Sequence, residues 1–209
     1  MGLFERHGFH AFDLEYLSAA LVYHLEALAR HYETIRDRFR EIIPGASVSK
    51  EANYQNQPEP YFEFDAVITA ARRAYNSCRY LLWQRWGPAT YFPLPNSFSR
   101  TVSLCESLDS NLRADLLASW DQCGIKLTAY RDCMQHYVPV DFGLATVSMK
   151  EVLPGIWSAS ARIPDNPEAR SKKAFRFQGR LDALSFAWQV AVEVHRVIDL
   201  ILHEAYSEN

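Results

Sequence analysis

Four long stretches of this chain carry apolar residues at spacings of three or four. The clearest of these stretches is the first in the chain, and it ends before Pro44–Gly45. Its apolar residues are Leu14, Leu17, Leu21, Leu25, Leu28, Tyr32, Ile35, Phe39 and Ile42. This spacing places all of them on one side of an α-helix, and that side must be covered by other parts of the chain. A chain with four such stripes is predicted to fold as a helical bundle.

The other predicted helices follow in order. A second helix runs from Tyr61 to Gly87–Pro88, and a short one from about Ser99 to Leu108. The third stripe belongs to a long helix and consists of Leu112, Leu116, Trp120, Cys123, Leu127, Tyr130, Met134 and Tyr137. Asp109 or Ser110 is expected to cap that helix, because short polar side chains accept from its free N–H groups.

The fourth stripe defines a final helix and consists of Leu181, Leu184, Trp188, Ala191, His195, Ile198 and Leu202. The polar segment from Ser47 to Pro60 has no periodicity, so we expect a connector there. Before the final helix the spacing changes to two, which predicts a β-hairpin over about 143–164. We therefore predict an all-α fold, a four-to-five-helix bundle with an inserted hairpin, as one domain over residues 1–209. The hairpin is expected to be an embellishment outside the core.

Composition limits the classes of function. The chain has 209 residues and a formal net charge of −3, so any nucleic-acid contact must come from local basic patches. Its four cysteines show no CxxC pairing, which indicates reduced thiols rather than a metal site. No run reaches the roughly 18 apolar residues of a membrane span. We expect a cytoplasmic protein that needs no metal and no cofactor.

The end of the long helix carries Arg131, Asp132 and His136, shortly before Pro139. An arginine that binds phosphate and a histidine that transfers protons suit phosphodiester cleavage without a metal. At about 100° per residue, His136 lies roughly 40° from Asp132 but roughly 140° from Arg131. We therefore predict that Asp132 orients His136. Arg131 either joins them where the last turn loosens or faces the equivalent residues of a second subunit.

An all-α bundle with Arg-polar-x3-His at the end of its penultimate main helix resembles the HEPN family (higher eukaryotes and prokaryotes nucleotide-binding). Arg131, Asp132 and His136 match the family motif, and the helices from about Leu14 to Pro139, with the last helix, match its bundle. The resemblance implies a metal-independent endoribonuclease that acts on RNA as a homodimer. It also implies that the arginine holds the scissile phosphate and the histidine helps to activate the 2′-hydroxyl. A toxin or defence role, with a cognate antitoxin or another partner protein, is a further expectation.

Basic residues outside the motif are candidates for contact with RNA. They are Arg72, Arg73, Lys172, Lys173 and Arg176. The first two belong to the second helix, where a solvated face is the alternative, and the other three belong to a loop that also holds phenylalanines.

Three alternatives stay open. In the first, Arg131 and His136 belong only to a solvated helix end whose histidine compensates the helix dipole. Arg196 and His203 form a rival arginine–histidine pair near the C-terminus, although an apolar residue, Val197, follows that arginine. The alternative function is a non-catalytic HEPN-like module that binds a nucleotide or a protein.

Overall fold

Helices dominate the protein. The computed structural model describes residues 3–42, 51–88 and 93–206, with side chains from residue 13 onward. The described α-helices are α1 (Leu3–Ile42), α2 (Glu59–Trp86), α3 (Phe98–Leu104), α4 (Ser110–Ser119), α5 (Ile125–His136) and α6 (Ala183–Tyr206). The described strands are β1 (Glu51–Tyr54), β2 (Val147–Leu153) and β3 (Ile156–Ala161). The predicted predominance of helix is confirmed.

The apolar stripe predicted on α1 is buried. From Leu14 to Phe39 its members are at most 8% exposed, whereas Ile42 at the end of the helix is 63% exposed. The predicted end at Pro44–Gly45 lies outside the described residues. Among the helices that the structure describes, we find none with both the length and the apolar character that a membrane crossing needs.

The next two helices differ slightly from their predicted bounds. Helix α2 ends at Trp86, immediately before Gly87–Pro88 as predicted. Helix α3 ends at Leu104, earlier than predicted, because Cys105 adopts a non-helical backbone conformation. The Ser97 hydroxyl caps α3 by accepting from the Arg100 N–H.

A π-helical turn interrupts the predicted long helix. Asp109 caps α4 as predicted, accepting from two backbone N–H groups at 2.8 and 3.0 Å. Residues Trp120–Gly124 then form a π turn before α5 begins. A Cβ added at Gly124 would lie 2.3 Å from a ring atom of Trp120, so this close approach requires glycine. The apolar periodicity did not indicate this turn.

The chain divides into two compact units, with boundaries after residues 21, 68, 128 and 189. The first unit contains the residues up to 21, residues 69–128 and the residues from 190 onward. The second unit contains residues 22–68 and 129–189. The single domain over residues 1–209 stays a prediction.

The core of the first unit contains three aromatic rings. Tyr75, Phe98 and Trp120 are buried, and their ring centroids lie 5.0–5.5 Å apart. The Tyr75 hydroxyl shares a hydrogen bond of 2.9 Å with Ser119. This contact satisfies a polar group that burial has removed from water.

The core of the second unit holds a similar group of rings formed by Phe64, Tyr130 and Phe186. The centroid of Tyr130 lies 5.6 Å from that of Phe64 and 5.0 Å from that of Phe186. The Tyr130 hydroxyl donates to the Pro164 carbonyl. These contacts hold α5 in place immediately before Arg131.

The predicted connector contains a strand. Residues Glu51–Tyr54 form β1, which pairs antiparallel with β2 in the sheet order β1-β2-β3. The prediction of an unstructured connector is therefore wrong for these residues, and the predicted two-stranded hairpin is part of a three-stranded sheet in the described chain. This short strand owes its existence to pairing with a distant segment, which local periodicity does not report.

One face of the sheet belongs to the core. Val147, Met149, Ala161 and the adjoining Ile163 are at most 1% exposed. The Tyr61 hydroxyl on α2 also donates to the Thr146 carbonyl at 2.8 Å. The expectation that residues 143–164 form an embellishment outside the core is therefore wrong for this buried face, although other apolar residues of the segment are exposed, namely Leu144, Val152, Leu153 and Ile156.

The stripe predicted on α6 is shifted. Trp188, one of its predicted members, is 60% exposed. The buried residues of this helix are Ala183, Phe186, Ala187, Val190, Ala191, Val194, Val197, Ile198, Ile201 and Ala205. Apolar residues occupy more than one side of α6, so spacing alone did not identify the buried side.

Candidate functional site at the end of helix α5

Helix α5 ends at His136, as the sequence predicts. The N–H groups of Tyr137 and Val138 both donate to the Cys133 carbonyl, at 3.0 and 3.1 Å, and close the helix before Pro139. Buried Cys133 faces the core, while the side chains of Arg131 and Asp132 are about one third exposed and His136 is exposed. The predicted catalytic residues therefore lie on the outer side of this helix end.

Asp132 forms an ion pair with its neighbour Arg131. The Arg131 Nη1 atom donates to Asp132 Oδ1 at 2.8 Å. We predicted that this carboxylate orients His136, and the structure directs it to the arginine instead. Both partners are about one third exposed, so the pair contributes about 0–1 kcal/mol and is inexpensive to open.

The imidazole of His136 packs edge to face near the ring of Tyr137, with centroids 6.4 Å apart. Tyr137 is 50% exposed, although its position on the apolar stripe predicted a buried side chain. A histidine in this position is open to solvent and to ligands.

A second arginine reaches the same helix end from a distant segment. The guanidinium of Arg170 lies 4.8 Å from the ring centroid of Tyr137, and its Nη1 donates to the Tyr137 hydroxyl at 3.0 Å. Its charge acts on Cys133, where it partly offsets the burial that raises the pKa of that thiol. We call Arg131, Asp132, His136, Tyr137 and Arg170 the α5-end cluster.

The backbone conformation around Arg170 directs its side chain toward Tyr137. The 3-10 turn Pro167–Ala169 precedes it, and Arg170 itself adopts a left-handed φ of 54°. That conformation is uncommon for a residue with a side chain and costs about 1 kcal/mol or more. The cation–π contact with Tyr137 is one interaction that offsets this cost.

The basic loop supplies one more charge close by. Lys172 Nζ lies 2.5 Å from Oδ1 of Asp141, a buried carboxylate that follows the end of α5. Lys173 and Arg176 are exposed, and the Arg176 N–H donates to Asn166 Oδ1 at 2.7 Å. Of the three loop residues predicted to contact RNA, Lys172 is therefore the one tied to the segment after α5.

The two predicted RNA-binding residues of α2 belong to the first unit, whereas the α5-end cluster belongs to the second. Arg72 donates to Asn76 Oδ1 at 2.6 Å and lies 5.6 Å from the Trp120 ring centroid. Arg73 is exposed. Arg72 is thus neither the fully solvated residue of the stated alternative nor part of the unit that holds the α5-end cluster, and its contact with RNA stays a prediction.

The rival pair on α6 has a different environment. Arg196 Nη2 lies 2.7 Å from Glu193 Oε1 on the same helix, and this pairing lowers the pKa of the glutamate. The arginine is thereby committed to a carboxylate one turn away. Within the described ranges, no three histidine, cysteine, aspartate or glutamate side chains come together as a metal-binding group.

Comparisons with protein-family models, with curated proteins and with solved structures found no match to this chain. The HEPN resemblance rests on the motif and on the helical pattern.

The contribution of Arg170 to the α5-end cluster was missed from sequence. It is separated from Tyr137 by more than thirty residues, and the basic loop showed only an accumulation of charge. A usable signal was the tyrosine after His136, since an aromatic ring beside a polar motif is a frequent partner for arginine.

Proposed function

We propose that the chain is a metal-independent endoribonuclease of HEPN type that acts at the α5-end cluster. The observation that supports this proposal best is the exposed His136 at a helix end that also carries two arginines, Arg131 and Arg170. The formal net charge of the chain is −3, so this local positive charge contrasts with the molecule as a whole. A local cationic surface is what a phosphate backbone needs.

The proposed reaction is internal transesterification of RNA. His136 removes the proton of a ribose 2′-hydroxyl, and the resulting oxygen attacks the adjacent phosphorus. The bond from phosphorus to the 5′-oxygen breaks, and that oxygen takes up the proton that His136 removed, so the histidine returns to its starting form. The products are a 2′,3′-cyclic phosphate and a 5′-hydroxyl, so no water and no metal enter this step.

Arg131 stabilises the charge on the phosphate during this reaction. To do so, its guanidinium exchanges Asp132 for a phosphate oxygen. The exchange is feasible because the present pair is exposed and weak, whereas a charge-assisted bond to the transition state is stronger. Arg170 adds a second positive charge that helps to hold the strand.

The proposal includes a homodimer, because on one ideal helix Arg131 and His136 point roughly 140° apart. A two-fold axis would bring the arginine of one subunit to the histidine of its partner. The alternative function is a binding module that holds RNA, a nucleotide or a protein at the same cluster without turnover.

The decisive measurement is RNA cleavage in EDTA by the wild type, Arg131→Ala and His136→Ala. We expect His136→Ala to lower cleavage by about 10²–10⁴-fold and to leave RNA binding nearly unchanged. Arg131→Ala should weaken both. End-group analysis should find cyclic phosphates.

His203→Ala is the matched control, since His203 is also an exposed histidine in the last turn of a helix. Its cleavage should stay within about two-fold of wild type. Equal cleavage by wild type and both cluster variants, on single-stranded and structured RNA, would remove the enzyme and leave the binding module.

Mixing the two inactive variants tests the two-subunit arrangement. If Arg131 and His136 act across subunits, a mixed dimer regains one intact site, and a 1:1 mixture regains about a quarter of wild-type activity. If both residues act within one subunit, the mixture stays inactive. Sedimentation at micromolar concentration should show the dimer, and a fully active monomer would exclude it.

A further inference from the structure

Part of the outer face of the three-stranded sheet is polar, whereas the exposed apolar residues Val152 and Ile156 lie toward the hairpin turn. The polar side chains form two rows across the strands, Glu51 with Lys150 and Ser158, then Asn53 with Ser148 and Ser160. Alternation along each strand puts these residues opposite the buried face described above. This face of the sheet is not flat, because it forms the floor of a groove.

The groove has a volume of about 570 Å³, within the range of small-molecule sites. Besides the two rows, its walls are formed by Ala52, Phe142, Met149, Arg162 and Arg180. All of these residues belong to the second unit. The α5-end cluster contributes none of them, so the groove is a separate site.

Two arginines stand at one end of the groove on hydrogen-bonded segments. The residue after Arg162 donates its N–H to the Leu181 carbonyl at 3.0 Å, and Arg162 itself forms a β-bridge with Asp182. Arg180 lies between this pairing and Gly179, whose N–H donates to Asp165 at 2.8 Å. The backbone on both sides of Arg180 is thus fixed, with a left-handed φ of 51° at the arginine.

Neither guanidinium has a carboxylate partner among the described residues. Arg162 lies 5.3 Å from the ring centroid of Phe142, which orients it and leaves its N–H edge available. Arg180 is exposed. A guanidinium held against Phe142, with a second arginine on a fixed backbone segment, is a suitable receptor for a phosphate.

The carboxylates near the groove form no ion pair with either arginine in the described chain. Glu51 lies 3.8 Å from Lys150 at the opposite end. Asp182 accepts hydrogen bonds from Tyr32 and Ser160. Asp165 accepts from the Gly179 N–H, and its other oxygen is buried without a hydrogen-bond partner among the described residues. Both guanidinium groups therefore keep N–H donors for an added anion.

The serines of the rows have a common property that selects the rest of the ligand. Each donates its hydroxyl hydrogen within the protein, Ser148 to Asn53, Ser158 to the Lys150 carbonyl and Ser160 to Asp182. Their oxygens therefore remain as acceptors facing the groove. Acceptors in a row next to a phosphate site match a ligand that presents hydroxyl donors beside its phosphate.

We propose that this groove binds a ribose phosphate unit, with the phosphate between Arg162 and Arg180 and the ribose hydroxyls on the serine rows. The unit is either a free mononucleotide or part of an RNA strand, since both present the same chemistry. The site does not depend on cleavage at His136.

The test measures binding to the full chain carrying His136→Ala, so that no strand is cut. The probes are AMP, ribose 5-phosphate, adenosine and a fluorescent eight-nucleotide RNA with its DNA counterpart. We expect AMP and ribose 5-phosphate to bind, adenosine to bind at least ten-fold more weakly, and RNA to bind better than DNA. Calorimetry suits the small probes and fluorescence anisotropy the strands.

The double variant Arg162→Gln, Arg180→Gln should weaken binding at least ten-fold. Arg38→Gln removes one positive charge from an exposed position on α1, so it is the control for Arg180→Gln alone, and it should stay within two-fold of the parent. Exposed Arg180→Gln alone keeps the test valid if the loss of Arg162 reduces folding, and it should weaken binding at least three-fold.

The probes distinguish the two sources. If AMP binds and the eight-nucleotide RNA does not displace it, the ligand of the groove is a free nucleotide. If RNA binds in a way that depends on the groove arginines and AMP does not bind, the ligand is an RNA strand. If none of the phosphate probes saturates at millimolar concentration, or if the arginine variants bind them as the parent does, the groove is not a ribose phosphate site. Loss of cleavage in His136→Ala alone bears on the α5-end cluster and not on the groove.

Discussion

Asp132 and Asp182 are both carboxylates beside a helix end in the second unit, yet their surroundings are opposite. Asp132 has its ion pair with Arg131, and its side chain is 36% exposed. Asp182 accepts from the Tyr32 hydroxyl at 2.8 Å, from the Ser160 hydroxyl at 3.0 Å and from the Ser185 N–H at 2.9 Å. One carboxylate is held by a single exposed partner, and the other joins α1, β3 and α6.

This difference separates the parts of the molecule that maintain the fold from the parts that are free to bind. The Tyr32 hydroxyl that donates to Asp182 also accepts from the N–H groups of Ala161 and Leu184. Replacing Tyr32 or Asp182 leaves the polar groups that bind it without hydrogen-bond partners, which lowers the stability of the fold. The Asp132 pair opens at little cost, so its arginine can exchange a carboxylate for a phosphate.

The largest expected effect follows from removing the buried partner. Asp182→Ala should lower the free energy of unfolding by about 2–4 kcal/mol, because three hydrogen bonds are lost, one of which is the N-cap of α6. Urea unfolding followed by circular dichroism measures this change. Asp132→Ala is the control and should cost less than about 1 kcal/mol. Equal losses in the two variants would show that the comparison between the carboxylates is wrong.

A smaller effect should appear at alkaline pH. Burial, and then the charge of Asp182, hold the pKa of Tyr32 well above its ordinary value of about 10. The folded chain therefore keeps a proton that the unfolded chain releases, so this contribution is complete below about pH 10 and decreases as pH rises further. The loss reaches at most about 1.4 kcal/mol per pH unit for one group.

The buried thiols act in the same direction. Burial raises the pKa of Cys78 and of Cys123 to about 12, so their contribution decreases above about pH 8.5, the ordinary thiol value. Tyr32→Phe isolates the tyrosine, since the variant should lose stability less steeply than wild type between pH 10 and 11. Tyr23→Phe, at a position 62% exposed, should follow the wild-type curve. Parallel curves for Tyr32→Phe and wild type would contradict this assignment.

The smallest effect concerns the exposed pair. Asp132→Asn removes the carboxylate that competes for Arg131, so RNA affinity should rise by about two- to five-fold, with stability nearly unchanged. Fluorescence anisotropy in a His136→Ala background measures it. Asp121→Asn, an equal charge change at an exposed site of the π turn, should have less effect.

The orienting role first predicted for Asp132 has the opposite signature. In that case Asp132→Asn in the otherwise native chain lowers cleavage to a level between wild type and His136→Ala, and RNA affinity stays constant. The two measurements together decide which partner, Arg131 or His136, the carboxylate serves during turnover.

Much of the helical architecture was predictable because its signals are local. The stripe from Leu14 to Phe39, the cap at Asp109 and the end of α5 at His136 each depend on residues within a few positions of one another. Helix periodicity, side-chain capping and the restriction before Pro139 act over that range. The predicted motif residues therefore lie where the sequence placed them, in the last two turns of α5.

The remaining features needed the tertiary structure. Strand β1 is four residues long and gains its hydrogen bonds from β2, about a hundred positions away, so its own sequence has no strand signal. The buried side of α6 is chosen by what packs on it, which leaves Trp188 exposed.

The same division applies to the candidate sites. The sequence by itself determined that Arg131, Asp132 and His136 share one helix end, because that follows from helix geometry alone. The tertiary structure decided that Asp132 pairs with Arg131, that Arg170 joins Tyr137, and that Arg162 and Arg180 meet at the groove. The physical reason is that each side chain can form its hydrogen bond or ion pair either with a neighbour in sequence or with a residue that folding brings close. The spacing of residues along the chain does not show which of the two partners binds.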